Sequence, residues 1–148
     1  MDHDRYSDDY LRGILSEVRT IAMVGASPNR TRPSHLVMTF LQSKGYRVIP
    51  VNPQAAGETI LGERVYGDLA EVTEPIDMVD IFRRSDAVEP IVAAAIAVGA
   101  KVVWMQLGVR NDAAARRGEA AGIKVVMNRC PEIEYARLHG LCAAPDSA

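Results

Sequence analysis

The sequence predicts an α/β fold in which helices cover a parallel sheet of five strands, formed by one domain that spans residues 1–148. Two observations lead to this fold. Five short apolar runs alternate with segments that carry apolar residues at helical spacing. The first run contains four consecutive apolar residues, from Ile21 to Val24. Such a run is typical of a strand that is buried on both faces of a parallel sheet. A chain of 148 residues is also the size of one ordinary domain.

The five predicted strands are apolar runs that end at turn residues, and they cover residues 20–24, 46–51, 77–82, 101–105 and 123–127. The second run contains Pro50 near its end and leads into Asn52 and Pro53. A polar segment then separates the second strand from the third. We predict only a short strand near Val65 and a helical turn near Leu69 in that segment.

The predicted helices begin and end at residues that favour those positions. Ser7 is a candidate N-cap for a first helix that reaches about Val18, and Pro33 suits the first position of a helix that Gly45 ends. The third helix runs from about Val88 to Gly99, the fourth from its cap Asn111 to Gly122, and the last from Pro131 to about His139. Residues 1–6 are predicted to be loose, the ordered core to span about 7–140, and residues 143–148 to form a disordered tail.

With right-handed crossovers, we predict the strand order 3-2-1-4-5, which puts the topological switch point between strands one and four. Ligands of such sheets bind outside the carboxyl ends of the strands. The loops at Gly25, Asn52, Phe82, Gln106 and Asn128 should therefore share one face of the molecule.

The loop after the first strand has the features of an anion-binding site. Gly25, Ala26 and Ser27 are small, so the backbone can approach a ligand closely. The helix that starts at Pro33 presents unpaired N–H groups and a partial positive charge. Arg30 and Arg32 add two cations to the same loop. The sequence thus predicts that a phosphate or pyrophosphate binds here.

Two common nucleotide motifs are absent from this loop. It contains one glycine where a dinucleotide fingerprint GxGxxG has three, and Asn52 and Pro53 occupy the place of an acidic residue that would hold a ribose. These absences disfavour NAD. The chain also lacks GxxxxGK[ST], which disfavours a nucleoside triphosphate held in a P-loop.

Five strings at the ends of the five strands resemble the small stand-alone CoA-binding proteins of bacteria and archaea. The strings are GASPNRTRPSH, VIPVNP, VDIFRR, WMQLGV and VVMNRCPEIE. This family is similar in fold to the CoA-binding domain of the succinyl-CoA synthetase α-subunit. The resemblance covers about residues 11–138 and implies a Rossmann-like domain that binds CoA, a nucleotide.

The resemblance also implies a set of binding residues at the loops already described. They are Gly25, Ala26, Ser27, Arg30, Arg32, Asn52, Pro53, Phe82, Arg83, Arg84 and Gln106. Family members often carry a lysine directly after the asparagine-proline pair, whereas this chain has Gln54. Arg30 or Arg32 is the candidate replacement for that cation.

Two classes of function remain open. The first is a module that binds CoA or acyl-CoA and performs no chemistry, with no catalytic residue assigned. The second is an enzyme: a small protein that acts on CoA thioesters or disulfides through Cys130, or an NAD-binding Rossmann domain. Cys130 would sit at the N-cap of the last helix beside Arg129, but none of the three histidines is obviously placed to act as its base. We favour the binding module.

Composition narrows the choice of partners. The net charge is −2 and the 17 basic residues are scattered, so nucleic acid is not an expected partner. The two cysteines form no metal-binding pattern, and they favour a reducing compartment. The sequence begins with a polar segment and has no run of ~18 apolar residues. We expect a cytoplasmic protein without a metal or membrane contact, and either a homodimer or association with a partner enzyme subunit.

Overall fold

The computed structural model describes the backbone of residues 1–143 and the side chains as far as residue 139. Five of its strands form a single parallel sheet, and two short strands form a separate antiparallel pair, β3 with β4. In chain order the strands are β1 (Thr20–Val24), β2 (Arg47–Val51), β3 (Thr59–Ile60), β4 (Glu63–Arg64), β5 (Met78–Ile81), β6 (Val102–Met105) and β7 (Lys124–Val126). The predicted parallel sheet is therefore confirmed.

Helices cover both faces of the sheet. They are α1 (Asp8–Glu17), α2 (Pro33–Ser43), α3 (Val88–Ala97), α4 (Asp112–Ala120) and α5 (Pro131–Ala143). Buried residues of α1, α2 and α5 pack on one face, which we call the α2 side. Those of α3 and α4 pack on the other face, the α3 side. This three-layer arrangement confirms the Rossmann-like α/β class.

The helix starts follow the predicted local rules. The Ser7 hydroxyl accepts a hydrogen bond from the Tyr10 N–H at 3.1 Å, and the Asn111 carbonyl oxygen Oδ1 accepts one from the Ala114 N–H at 3.0 Å. Pro33 is the first residue of α2. Pro90 is the third residue of α3, where the missing N–H costs no intrahelical bond. No helix in the described part of the chain is long and apolar enough to cross a membrane.

The strand order is β2-β1-β5-β6-β7, so the predicted order 3-2-1-4-5 is wrong. The third predicted strand, which is β5, pairs with β1 on one side and with β6 on the other. In the numbering of the predicted strands, the order is 2-1-3-4-5. The topological switch point consequently lies between β1 and β5, and not between the first and fourth predicted strands.

The position of Pro50 gives a physical reason for this order. Proline has no N–H to donate to a neighbouring strand, so it belongs in an edge strand. The structure places β2 at the edge, whereas the predicted order would have put it between two strands. All four residues of β5 are buried, as a central strand requires.

The segment after β2 covers the outer side of that edge strand. The Asn52 N–H donates to the Tyr66 carbonyl at 2.8 Å, and the Tyr66 N–H donates to the Pro50 carbonyl at 3.0 Å. The strand predicted near Val65 is β4, which ends one residue earlier, and the helical turn predicted near Leu69 covers Leu69–Glu71. The polar segment therefore forms part of the sheet's border.

The chain ends differ in part from the prediction. Residues 1–6, which the sequence predicts to be loose, contact the rest of the protein through His3, Asp4 and Tyr6. The Tyr6 hydroxyl accepts a hydrogen bond from the Met127 N–H at 2.8 Å, and the His3 ring lies 2.6 Å from the same hydroxyl. Helix α5 continues to Ala143, beyond the predicted end at about His139. The disordered tail predicted for residues 143–148 lies, from residue 144 on, outside the described residues.

Candidate functional site

Gly25 brings the carboxyl ends of β1 and β5 into close contact. Its φ is +90°, a left-handed conformation that favours glycine. A Cβ atom at this position would lie 2.3 Å from the carbonyl oxygen of Phe82. The sequence predicts that a ligand approaches the Gly25 backbone closely. In the structure, the backbone of the neighbouring strand makes this close approach to Gly25. Any side chain here would push apart the two strands that border the switch point.

The rest of the loop is held by hydrogen bonds to its neighbours. Ala26 is buried, and its carbonyl accepts a hydrogen bond from the Asn52 Nδ2 at 2.9 Å. The Ser27 N–H donates to the Ser34 hydroxyl at 3.1 Å. The Ser27 amide is therefore committed within the protein, and a ligand would have to compete for it.

Free backbone donors remain at the start of α2. Arg32 occupies the N-cap position, but its side chain accepts no capping hydrogen bond. Within residues 1–143, the N–H groups of Ala26 and Ser34 find no protein acceptor. Donors without a protein partner next to the positive end of a helix are the groups that an anion would use. Ser34 is not among the predicted site residues, although a serine in the first turn of this helix is a usable signal.

The predicted cations occupy different places around this loop. Arg30 and Arg32 are exposed, and neither forms an ion pair among the described residues. The Cδ atom of Arg83 lies beside Gly25, 3.1 Å from the position that a Cβ atom on Gly25 would occupy. Arg84 pairs with Asp86 at 3.3 Å. Three of the four predicted arginines are thus available to an anion, and Arg84 is partly neutralised.

Asn52 and Pro53 shape the loop after β2. The Asn52 Oδ1 accepts a hydrogen bond from the Gln54 N–H at 3.0 Å, and its Nδ2 is the donor to Ala26 already described. Both ends of the amide therefore have protein partners. Pro53 begins a short helical turn, and Gln54 is exposed.

Two open grooves flank the Gly25 loop. The groove on the α3 side has a volume of about 350 Å³ and is largely apolar. It is lined by Val24, Val51, Pro53, Gly67, Asp68, Leu69, Arg83, Pro90, Ile91 and Ala94. The groove on the α2 side has a volume of about 440 Å³ and is lined by Pro28, Arg30, His35, Thr59, Ile60 and Leu61. The α3-side groove is thus lined by the predicted binding residues Pro53 and Arg83, and the α2-side groove by Arg30.

Two buried polar side chains lie at the carboxyl ends of β5 and β6. Gln106 is 7% exposed, and its Oε1 has no hydrogen-bond partner in the described part of the chain. Asp80 is fully buried, and both of its carboxylate oxygens also lack a partner there. Burial raises the pKa of Asp80 well above its usual range, so this carboxyl group favours the neutral form. Asp80 is not among the predicted site residues, although a carboxylate inside the apolar strand MVDI is an unusual feature.

Cys130 lies at the start of α5, as predicted. It is 5% exposed, and its carbonyl accepts the Glu134 N–H at 2.9 Å. Each histidine is placed elsewhere: His3 contacts Tyr6, His139 contacts Tyr135, and His35 lines the α2-side groove. None of the described side chains forms a hydrogen bond with the Cys130 thiol. The described residues also contain no cluster of three or more His, Cys, Asp or Glu side chains that could hold a metal.

Comparisons with known proteins cover most of this chain. Residues 19–136 match a protein family described as the CoA binding domain. The chain is 34% identical over 126 residues to the uncharacterized protein YneT of Bacillus subtilis (strain 168), a match that covers 85% of this chain and 92% of that protein.

Solved structures show the same fold over nearly the whole length. A hypothetical protein from Pyrococcus horikoshii OT3 is similar with a TM-score of 0.87 and 38% identity, over 93% of this chain and 95% of that one. A protein from Thermus thermophilus is similar with a TM-score of 0.86 and 38% identity, over 90% of this chain and 99% of that one.

Proposed function

Because this chain belongs to the CoA-binding domain family, we propose that it is a binding module for CoA or acyl-CoA without chemistry of its own. The observation that carries this proposal is the uncapped start of α2. There, the N–H groups of Ala26 and Ser34 have no acceptor among the described residues, and the exposed Arg30 and Arg32 belong to the same loop. The loop therefore offers both backbone donors and cations to a phosphorylated ligand.

The pyrophosphate of CoA would bind at this helix start. Backbone N–H groups and a helix N-terminus stabilise a phosphate without any motif of three glycines. Arg30 and Arg32 would supply the positive charge that Gln54, an uncharged and exposed residue, does not. Arginine suits this role because its planar guanidinium group can donate two parallel hydrogen bonds to a phosphate.

The nucleotide part of CoA would lie at the β2 end of the site. The α3-side groove there is bordered by Pro53 and by Val24 and Val51, the last residues of β1 and β2. Its apolar walls suit the faces of an adenine ring. Asn52 occupies the position at which NAD-binding proteins carry a ribose-binding carboxylate. Its Nδ2 and Oδ1 atoms already form hydrogen bonds inside the loop, so this residue shapes the backbone.

The burial of Cys130 supports binding without catalysis. A cysteine nucleophile needs access to the substrate and a base within hydrogen-bond reach. Cys130 is 5% exposed, and the histidines of the described chain contact other groups. A module of this kind acts together with other proteins, either as a homodimer or beside a partner enzyme subunit. A free, buried cysteine is consistent with the cytoplasm.

A comparison of CoA with NAD tests the proposal. We expect saturating CoA to raise the melting temperature more than NAD at the same concentration, because the site has phosphate donors, whereas Asn52 and Pro53 occupy the place where NAD-binding proteins carry the acidic residue that holds a ribose. Mass spectrometry of ligands released from the purified protein should also detect CoA or an acyl-CoA. Equal stabilisation by NAD and CoA would contradict the proposal.

A further inference from the structure

Asp80 and Gln106 are two buried polar residues whose hydrogen-bonding capacity is unused. Asp80 is 0% exposed and Gln106 is 7% exposed. Both oxygens of Asp80 and the Oε1 of Gln106 lack partners among the described residues. Buried polar groups in native proteins nearly always have a partner, so each of these three atoms requires one from outside the described residues.

The sheet register places both side chains on its α2 side. Asp80 lies in register between Met23 of β1 and Trp104 of β6, and both neighbours belong to the apolar cluster on that side. Since side chains alternate along a strand, Asp80 faces the same layer. Phe82, two residues further along, packs against the same cluster.

Gln106 continues this face on the neighbouring strand. Ile81 pairs with Met105, and the Gln106 N–H then donates to the Ile81 carbonyl at 3.3 Å. Gln106 therefore lies beside Phe82 at the carboxyl edge of the sheet. On this face of the sheet, the pair of Phe82 and Gln106 directly follows the pair of Asp80 and Trp104. This edge is next to the switch point between β1 and β5, where the loop of Gly25 begins.

The two residues are chemically complementary to an amide group. A neutral carboxylic acid donates one hydrogen bond through its O–H, and the Oε1 of Gln106 accepts one. An amide offers a carbonyl to the first and an N–H to the second. An amide suits this pair better than an anion does, because the Gln106 Oε1 can only accept hydrogen bonds and the surrounding cluster is apolar.

The proposed position of CoA directs an amide toward this pair. With its pyrophosphate at the start of α2 and its nucleotide toward β2, the ligand can extend over β5 and β6 along the carboxyl edge of the sheet. The pantetheine arm that extends there contains two amide groups. We propose that Asp80 and Gln106 are specificity residues that recognise an amide of the pantetheine arm, an inference that rests on the proposed function.

Recognition of this kind requires the Phe82 side chain to move. Phe82 is the next residue along the strand on the same face and is only half-buried. Rotation of its ring would open the path from the crevice to the Asp80 carboxyl group. The alternative is that internal water molecules satisfy Asp80 and Gln106 and that the ligand never reaches them.

Calorimetric titration of variants with two ligands separates these explanations. The ligands are CoA and adenosine 3′,5′-bisphosphate, which retains the nucleotide and lacks the arm. The variants are Asp80→Leu and Gln106→Met, which remove the polar atoms, and Asp80→Asn, which retains a neutral donor. We expect Asp80→Leu and Gln106→Met to weaken CoA binding about tenfold or more, as the loss of one buried hydrogen bond predicts. Asp80→Asn should bind CoA as tightly as the wild-type protein, and the bisphosphate should bind all four proteins equally.

Three outcomes would overturn the inference. Unchanged CoA affinity in Gln106→Met and Asp80→Leu would show that water satisfies both residues. An equal loss of affinity for CoA and for the bisphosphate would show that the substitutions disturb the whole site. Absence of CoA binding by the wild-type protein would instead overturn the proposed function, and this inference with it. If Asp80→Leu does not fold, the CoA affinity of Gln106→Met alone still tests the inference.

Discussion

At the scale of single residues, the site depends on which hydrogen-bonding groups remain free. Ser27 has the expected position at the start of the loop, but its N–H donates to the Ser34 hydroxyl. Among the described residues, the N–H groups of Ala26 and Ser34 have no protein acceptor. A phosphate at this site would therefore depend on two backbone donors and on the nearby arginines, because a helix N-terminus alone contributes little in open solvent.

Replacement of Arg30 or Arg32 by alanine tests this dependence. A hydrogen bond to a charged group is worth about 1.5–3 kcal/mol, so either substitution should weaken CoA binding roughly ten- to hundredfold if that arginine holds a phosphate. The loss should be smaller in high salt, since screening already weakens an exposed contact in the parent protein. Arg117→Ala, in the last turn of α4 and away from the loops, is the matched control.

Dephospho-CoA identifies the phosphate that is held. A variant that has lost its contact with the 3′-phosphate should bind CoA and dephospho-CoA about equally, whereas loss of a pyrophosphate contact should weaken both ligands together. If the double variant Arg30→Ala with Arg32→Ala bound CoA like the parent protein, the loop arginines would be ordinary surface charges.

At the scale of secondary structure elements, the two edges of the sheet are closed by segments outside it. The chain from β4 to Tyr66 borders β2, and residues of the N-terminal segment and α1 border β7. The Tyr10 hydroxyl donates to the Val125 carbonyl at 2.9 Å and accepts from the Val125 N–H at 3.1 Å. Burial raises the pKa of Tyr10 to about 12, so the hydroxyl keeps the proton that it donates. Closed edges protect a sheet from pairing with another chain.

Removal of the Tyr10 hydroxyl should therefore lower stability. Tyr10→Phe leaves the N–H and the carbonyl of Val125 without their partner, and we expect a loss of about 1–3 kcal/mol in the free energy of unfolding. Urea denaturation measures this difference. Tyr66→Phe is the matched control, because the Tyr66 hydroxyl forms no hydrogen bond with any described residue. Equal stability of the two variants would show that water replaces the Tyr10 hydroxyl.

At the scale of the whole molecule, a buried carboxyl group in the central strand couples folding to pH. Asp80 lies between Met23 and Trp104 in the middle of the sheet, and burial raises its pKa well above the ordinary value of 3.8. In the unfolded chain the same group loses its proton near that ordinary value. Between the two pKa values the native protein binds more protons than the unfolded chain, so stability falls as pH rises.

The Asp80→Asn variant isolates this contribution. Relative to that variant, the wild-type protein should be most stable below about pH 4 and should lose up to about 1.4 kcal/mol for each pH unit above it, until the folded-state pKa is reached. Urea denaturation of both proteins between about pH 4 and pH 8 gives the difference directly. If the free energies of unfolding of the two proteins changed in parallel with pH, the pKa of Asp80 would not be raised in the folded protein. Its ionised carboxylate would then have a partner in solution.

The sequence by itself determined the local elements and their chemistry. Runs of apolar residues predict the five parallel strands, and Ser7, Pro33 and Asn111 predict helix starts, because these signals depend only on backbone sterics and on neighbouring residues. The glycine loop, its arginines and the five family strings likewise predict a phosphate-binding protein of the CoA-binding domain family, and the family match confirms that membership.

Only the tertiary structure decided how these elements lie beside one another. Strand order depends on contacts between residues that are far apart in the sequence, and the edge position of Pro50 is a weak local indication of it. The same contacts commit the Ser27 N–H and the Asn52 amide to the protein, and they place Asp80 and Gln106 on one face. A hydrogen-bonding group is free or occupied according to its neighbours in space, and local sequence patterns do not specify those neighbours.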